Sequence, residues 1–382
     1  MEPIVILGSG LAGYAVAREF RRLDATTPVV VVTADGGEVY SKPMLSTALA
    51  AGRGAAQLAT AGAAQLGAQI GIETRIRTRV EAIDRVRRDL QLADGTRLGY
   101  GRLVLALGAD PRRLDLTGDG AASVLSVNDL DDYAAFREAI ARTRRVAILG
   151  AGLIGCEFAN DLALSGHQVD VVDIAPQPLG RLLPPRAAAR LRDGLSAAGV
   201  AWHLGRTTRA VRRLSEGFAI DLDDGASVAT GAVLSAVGLS PRTALAAAAG
   251  LETGRGIRVD RHLRSSDPSI FALGDCAEVE GLVLPYVMPL MACARALARS
   301  LAGTPTPVAY PAMPVVVKTP AMPAVVAPPP AAARGAWQEE MAGDDVVARF
   351  VDESGATAGF ALVGAAATAR KAELTRSLPA WL

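Results

Sequence analysis

Residues Ile4-Val5-Ile6-Leu7-Gly8-Ser9-Gly10-Leu11-Ala12-Gly13 decide the fold. Four bulky apolar residues predict a buried strand, and Gly8, Gly10 and Gly13 follow at G-x-G-x-x-G spacing. Tyr14 to Leu23 then carries apolar residues at Ala15, Val16, Phe20 and Leu23, a helical period. A strand, a glycine turn and a helix in that order form a dinucleotide phosphate site. The first glycine makes the tight turn and the second lets the backbone approach the pyrophosphate. The third packs helix on strand, and the helix N-terminus faces the negative charge.

The chain repeats the device. Val146 to Leu149 is a second apolar run, followed by Gly150, Gly152 and Gly155 at the same spacing, with Leu153 and Ile154 between them. A helix is expected from Cys156 to about Ser165, then a strand from His167 to Val172 that ends in Asp173. An acid about 20 residues past the glycines accepts hydrogen bonds from a ribose 2′-hydroxyl and repels a 2′-phosphate, which favours NAD over NADP. In the first unit the strand Val29 to Val32 ends less clearly, leaving Thr33, Asp35 or Glu38 for the ribose. Two such sites suggest one resident redox cofactor and one exchangeable hydride carrier.

The duplication extends past the glycines. Leu103 to Gly108 is an apolar strand ending in small residues and glycine, and Val233 to Gly238 copies it. Between the strand-and-helix elements, short alternating strands are expected at Gln69 to Ile72, Arg79 to Ile83 and Asp89 to Leu92, and again around Ala210 to Leu214 and Phe218 to Leu222. Helices are expected from Asp129 to Arg142, Pro185 to Ala198 and Pro289 to Ala302. Ile270 to Leu273 ends in Gly274-Asp275, which places Asp275 to hold a ribityl hydroxyl or, structurally, to make an Asx turn. Beyond Gly303 the composition shifts to Pro-rich short strands and a final helix from about Ala365 to Leu378. The expected class is α/β: two Rossmann-like dinucleotide-binding domains plus a small C-terminal α+β domain.

Composition narrows the function. At 382 residues the chain has room for two to three domains, and its net charge of +1 gives no sign of nucleic-acid binding. No run long and apolar enough for a membrane span is present, and no signal segment precedes the first strand, so a cytoplasmic enzyme is expected. Cys156, Cys276 and Cys293 are far apart, which rules out a Cys-x-x-Cys redox pair and fits a reducing compartment. No metal-ligand spacing occurs. Only Lys42, Lys318 and Lys371 are lysines, against 37 arginines, so a retained lysine is a candidate for a required ammonium. Tyr40-Ser41-Lys42-Pro43-Met44-Leu45-Ser46 reads either as a capping loop or as the loop that sets Lys42 beside an isoalloxazine ring.

These segments, with Gly150 to Asp161, Ala272 to Val279, Tyr286 to Arg295 and Val317-Lys318-Thr319-Pro320-Ala321, resemble the NADH:rubredoxin reductase family. That family lies in the pyridine nucleotide-disulfide oxidoreductase superfamily but has no redox-active cysteines. The resemblance implies an FAD domain in two segments (1–111 and 239–306), an inserted NADH domain (112–238) and a C-terminal domain (307–382). It implies FAD contacts from Ser9 to Ala12, Lys42, Val80, Glu157, Asp275, Val287 and Lys318, beside the glycine turn and Thr33. NAD falls to Gly150, Gly152, Leu153, Ile154, Gly155, Asp173 and Gly238. The implied reaction passes hydride from NADH to the flavin N5, then single electrons to rubredoxin, a small acidic iron protein. Lys42 and Glu157 are expected as a catalytic ion pair near N5, with Lys318 reaching the ring from the other side. Arg112, Arg113, Arg295 and Arg299 are candidates for a basic docking surface. A monomer is expected, serving alkane oxidation or oxygen detoxification. The rivals are a reductase for ferredoxin or flavorubredoxin, an NADH oxidase or peroxidase, and a non-enzymatic flavoprotein that changes shape with NADH. The oxidase class commonly uses a redox cysteine where this chain has Ser41, Lys42 and Ser46.

Overall fold

The computed structural model describes residues 2–382. Five parallel strands form the first sheet, in the spatial order Ile270–Ala272, Arg102–Leu105, Ile4–Leu7, Val29–Val32 and Glu73–Arg75. Both faces are covered, which is why Val29–Val32 can be four valines in a row, every one buried. The Leu11–Arg21 helix lies on one face and packs along the Val287–Leu301 helix.

A second parallel sheet runs Val200–Leu204, Gln168–Asp173, Arg145–Leu149 and Ala232–Ser235. Each parallel sheet has its own three-stranded antiparallel meander: Val80–Asp84, Asp89–Leu92 and Arg97–Gly99 for the first, Thr208–Arg213, Phe218–Leu222 and Ser227–Thr230 for the second. The chain leaves the first unit through Ala109–Pro111 and returns through Leu239–Pro241, and these two segments pair antiparallel.

The C-terminal sheet is antiparallel, in the order Val315–Val317, Ala324–Ala327, Thr357–Val363, Asp345–Asp352 and Gly335–Ala342. Its inner face joins the core of the second unit, where Val317, Met322, Val346 and Val363 share one apolar cluster with Leu191 and Leu195 of the Pro185–Ala197 helix. Glu339, on the edge strand, caps that helix by accepting from the N–H groups of Arg186 at 3.2 Å and Ala187 at 2.9 Å.

Two local expectations fail and one strand was not foreseen. Gln69 and Ile70 end a helix (Ala63–Ile70) instead of starting a strand; Gly71 stops it in a left-handed conformation, and the strand begins at Glu73. The final helix is two short ones, Ala365–Thr368 and Lys371–Arg376. Gly335–Ala342 is a full, mostly exposed edge strand in which Gln338, Glu339 and Glu340 separate Trp337 from Met341, so no alternating apolar signal remains. No helix among the described residues is long and apolar enough to cross a membrane.

Candidate functional site

The two glycine turns are nearly superposable in their constraints. Gly8 has φ +109° and Gly150 φ +111°, where a side chain would be strained. A Cβ at Gly13 would overlap the Gly8 carbonyl oxygen, and one at Gly155 would overlap that of Gly150. Gly10 and Gly152 instead face open space and are the N-caps of their helices, with no side chain capping either. The first-turn N–H groups are therefore left for an outside acceptor, and no side chain blocks its approach. Both cradles fit a dinucleotide pyrophosphate.

The side chains around the two turns differ. Ser9 is buried and its hydroxyl donates to Asp35 Oδ1 at 2.9 Å with Thr33 Oγ1 3.0 Å away, while Thr33 donates to Asp35 Oδ1 at 2.7 Å. Gly37 N–H adds a third contact to this carboxylate. In the second unit the half-buried Asp173 accepts from the Ala151 N–H of the glycine turn through Oδ2 and from Ala175 N–H at 2.7 Å through Oδ1. Gly238, at φ +107°, closes the copied strand, and its carbonyl accepts from Arg112 N–H at 3.0 Å.

Lys42 opens a 3₁₀ turn, Lys42–Thr47, with Pro43 fixing its first bend. The expected pair between Lys42 and Glu157 is not formed. Lys42 Nζ donates to Asn128 Oδ1 at 2.6 Å. Glu157 is 1 % exposed and pairs with Lys318. Its Oε1 also accepts from the Lys318 N–H at 3.0 Å, and Ser46 Oγ donates to its Oε2 at 2.6 Å. The reason lies in the C-terminal domain, which brings a lysine and its own backbone to the carboxylate and saturates it.

Burial pushes the Lys42 ammonium below its ordinary pKa; Asp275 opposes that, Arg242 adds to it, and Asp129 and Asp132 oppose it more weakly. Burial pushes Asp275 up, and Lys42 opposes the rise. The two are thus electrostatic neighbours, drawn together from turns far apart in sequence. Val80 begins the first meander, half-buried, and Val287 begins the Val287–Leu301 helix with 40 % of its surface exposed.

Four residues that sequence reasoning left without a role complete the picture: Ser46, Asn128, Asn160 and Asp161. Glu157, Asn160 and Asp161 stand at i, i+3 and i+4 on the otherwise apolar Leu153–Leu164 helix, so a helical wheel would have flagged one polar face. Asp161 accepts from Leu49 N–H at 2.9 Å and Ala50 N–H at 3.1 Å, and Asn160 accepts from Ala321 N–H at 3.0 Å. One helix therefore grips the Lys42 turn and the C-terminal domain together. All three cysteines are buried and unpaired, and burial pushes each thiol up. The described residues hold no cluster suited to a metal.

The pyridine nucleotide-disulphide oxidoreductase family profile matches residues 2–298, and a rubredoxin binding C-terminal domain profile matches 307–378. The chain is 47 % identical over 381 residues to a rubredoxin-NAD(+) reductase of Alcanivorax borkumensis, covering 100 % of this chain and 99 % of that one. It is 40 % identical to a nitric oxide reductase FlRd-NAD(+) reductase of Aeromonas hydrophila, over 98 % and 96 % of the two chains. Among solved structures, the ferredoxin reductase for the CYP199A2 system of Rhodopseudomonas palustris aligns with a TM-score of 0.89 at 29 % identity, covering 99 % and 96 %. Two glycine cradles, no redox cysteine pair and full-length likeness lead to one conclusion: the chain belongs to the pyridine nucleotide-disulphide oxidoreductase family and carries the rubredoxin-binding C-terminal domain.

Proposed function

We propose that the chain is an FAD-dependent NADH:rubredoxin reductase. The observation that carries this reading is the C-terminal domain, which matches the rubredoxin-binding profile and delivers Lys318 to Glu157 at the junction of the two nucleotide units. FAD, when bound, supplies the means to accept a hydride and release its electrons singly. The chain supplies placement. Gly8 to Gly13 receive the FAD pyrophosphate, the Thr33–Asp35 knot stands at the ribose end, and Asp275 faces the ribityl chain. Lys42, Val80, Val287 and the Glu157–Lys318 pair bound the ring. Gly150 to Gly155 receive the NADH pyrophosphate, with Asp173 at the ribose and Gly238 at the return strand. Asp173 favours NADH over NADPH, because a 2′-phosphate would meet its carboxylate.

An acidic partner suits the exposed side of the Val287–Leu301 helix. Met288, Arg295 and Arg299 are exposed on it, and among the described residues neither arginine has an ion-pair partner. Arg113 is exposed too, whereas Arg112 is committed at the hinge, where its Nε donates to the Leu239 carbonyl at 3.1 Å. A cytoplasmic setting accords with three unpaired thiols.

NADH-driven reduction of a rubredoxin, run beside a plant-type ferredoxin at equal concentration, tests the proposal. Fast turnover with rubredoxin that weakens with salt, and little with ferredoxin, is expected. Turnover with ferredoxin alone would sink it. The likeness to the Aeromonas protein supports a second reading, a flavorubredoxin as acceptor, and the rubredoxin domain of such a protein belongs in the same assay.

A further inference from the structure

Asn128 is buried, with 8 % of its surface exposed, just before the Leu130–Ile140 helix. It is held at three points. Its side-chain oxygen accepts from Lys42 Nζ at 2.6 Å, its side-chain nitrogen donates to the Ala109 carbonyl at 3.1 Å, and its main-chain N–H donates to Asp132 Oδ2 at 2.9 Å. The carbonyl of Ala109 can only accept, so the amide nitrogen must face it and the amide oxygen must face the ammonium. Ala109 belongs to the paired hinge strands, and Asp132 to the helix that the hinge leads into.

The charged groups that face Lys42 are Asp275 and Arg242 from the turns beside it, and Asp129 and Asp132 from the helix start. Among the described residues none of those carboxylates lies within 4.0 Å of the ammonium, so its direct partner is a neutral amide. A carboxylate in that place would both hold the charge and cancel it. An amide oxygen holds it without adding a further negative charge.

We infer that Asn128 is the positioning residue for Lys42, fixing its ammonium through a neutral acceptor at the hinge so that the positive charge stays directed at the flavin site. The inference rests on the reading of Lys42 as a residue beside the flavin. It makes the seating of the NADH unit and the placement of Lys42 one event, because the same side chain is tied to both.

The scarcity of lysine supplies the test. FAD-loaded protein labelled with lysine carrying carbon-13 at Cε gives three signals, and the one missing from Lys42→Arg belongs to Lys42. Asn128→Leu removes the acceptor and is expected to move the titration of Lys42 about one pH unit lower, while the isosteric Asn128→Asp moves it higher by about as much. The Lys371 signal stays in place. In rapid mixing, the pH profile of flavin reduction by NADH shifts in the same two directions. A Lys42 titration that is unchanged in both folded variants overturns the inference. A titration that moves while the pH profile of reduction does not would uphold the contact and overturn the place of Lys42 beside the flavin.

Discussion

The first and second glycine turns share their geometry to within a few degrees at Gly8 and Gly150, yet they are walled differently. Around the first, Ala12 to Ala17 are buried under the Val287–Leu301 helix, and the strand end is tied into the Ser9–Thr33–Asp35 knot. Around the second, Ile154 keeps 40 % of its surface exposed, and the acid at the strand end bonds only backbone N–H groups. The same cradle thus serves two residence times. A turn whose helix is buried under a second helix suits a cofactor that stays, and one with an exposed side chain beside it suits a carrier that must leave on every turnover. The cradle sets what is bound, and the surrounding walls set for how long.

Substituting the third glycine of each turn separates the two roles most strongly. Gly13→Ala forces a Cβ onto the Gly8 carbonyl and is expected to give protein purified without flavin, read from the absorbance ratio at visible and ultraviolet wavelengths. Gly155→Ala makes the same clash in the second turn and should retain full flavin while losing about a hundredfold or more in reduction by NADH, with reduction by dithionite intact. Flavin loss from both variants would erase the contrast.

Asp173→Asn should cut the preference for NADH over NADPH by roughly tenfold, one charge interaction being removed from a half-exposed site. The ratio of kcat/KM for the two nucleotides measures it, and no change in that ratio would remove Asp173 from the ribose. Glu157→Gln breaks the pair with Lys318, whose side chain is 31 % exposed, so the loss is about 1–3 kcal/mol, less than for a fully buried pair. It should appear as a lower thermal midpoint and weaker coupling to rubredoxin, with NADH affinity retained. The smallest effect is Glu339→Ala, which uncaps the Pro185–Ala197 helix for about 1 kcal/mol in thermal unfolding and leaves both nucleotide turns untouched.

The units were legible because each announces itself locally. Val29–Val32, Asp89–Leu92 and Phe218–Leu222 are strands at the residues where apolar runs and turn signals placed them. The partners of Lys42 and Glu157 were not legible, because they depend on how three separately folded sheets meet. Asn128 and Glu157 lie 86 and 111 residues from the Lys42 turn residues they bond, and no local period encodes such distances. Gly335–Ala342 was hidden for the opposite reason: a mostly exposed edge strand need not bury one face, so Trp337 and Met341 stand without an alternating apolar pattern around them.

The antiparallel pairing of Ala109–Pro111 with Leu239–Pro241 matters for engineering. Exit and re-entry lie side by side, so everything between them is a cassette whose two ends already touch. Removing it or replacing it asks the parent unit to close almost no gap, and the loop-closure cost of hosting it is small. A nucleotide-binding cassette of different preference grafted at that seam must keep Asn128, Glu157, Asn160 and Asp161, which hold the Lys42 turn and the C-terminal domain.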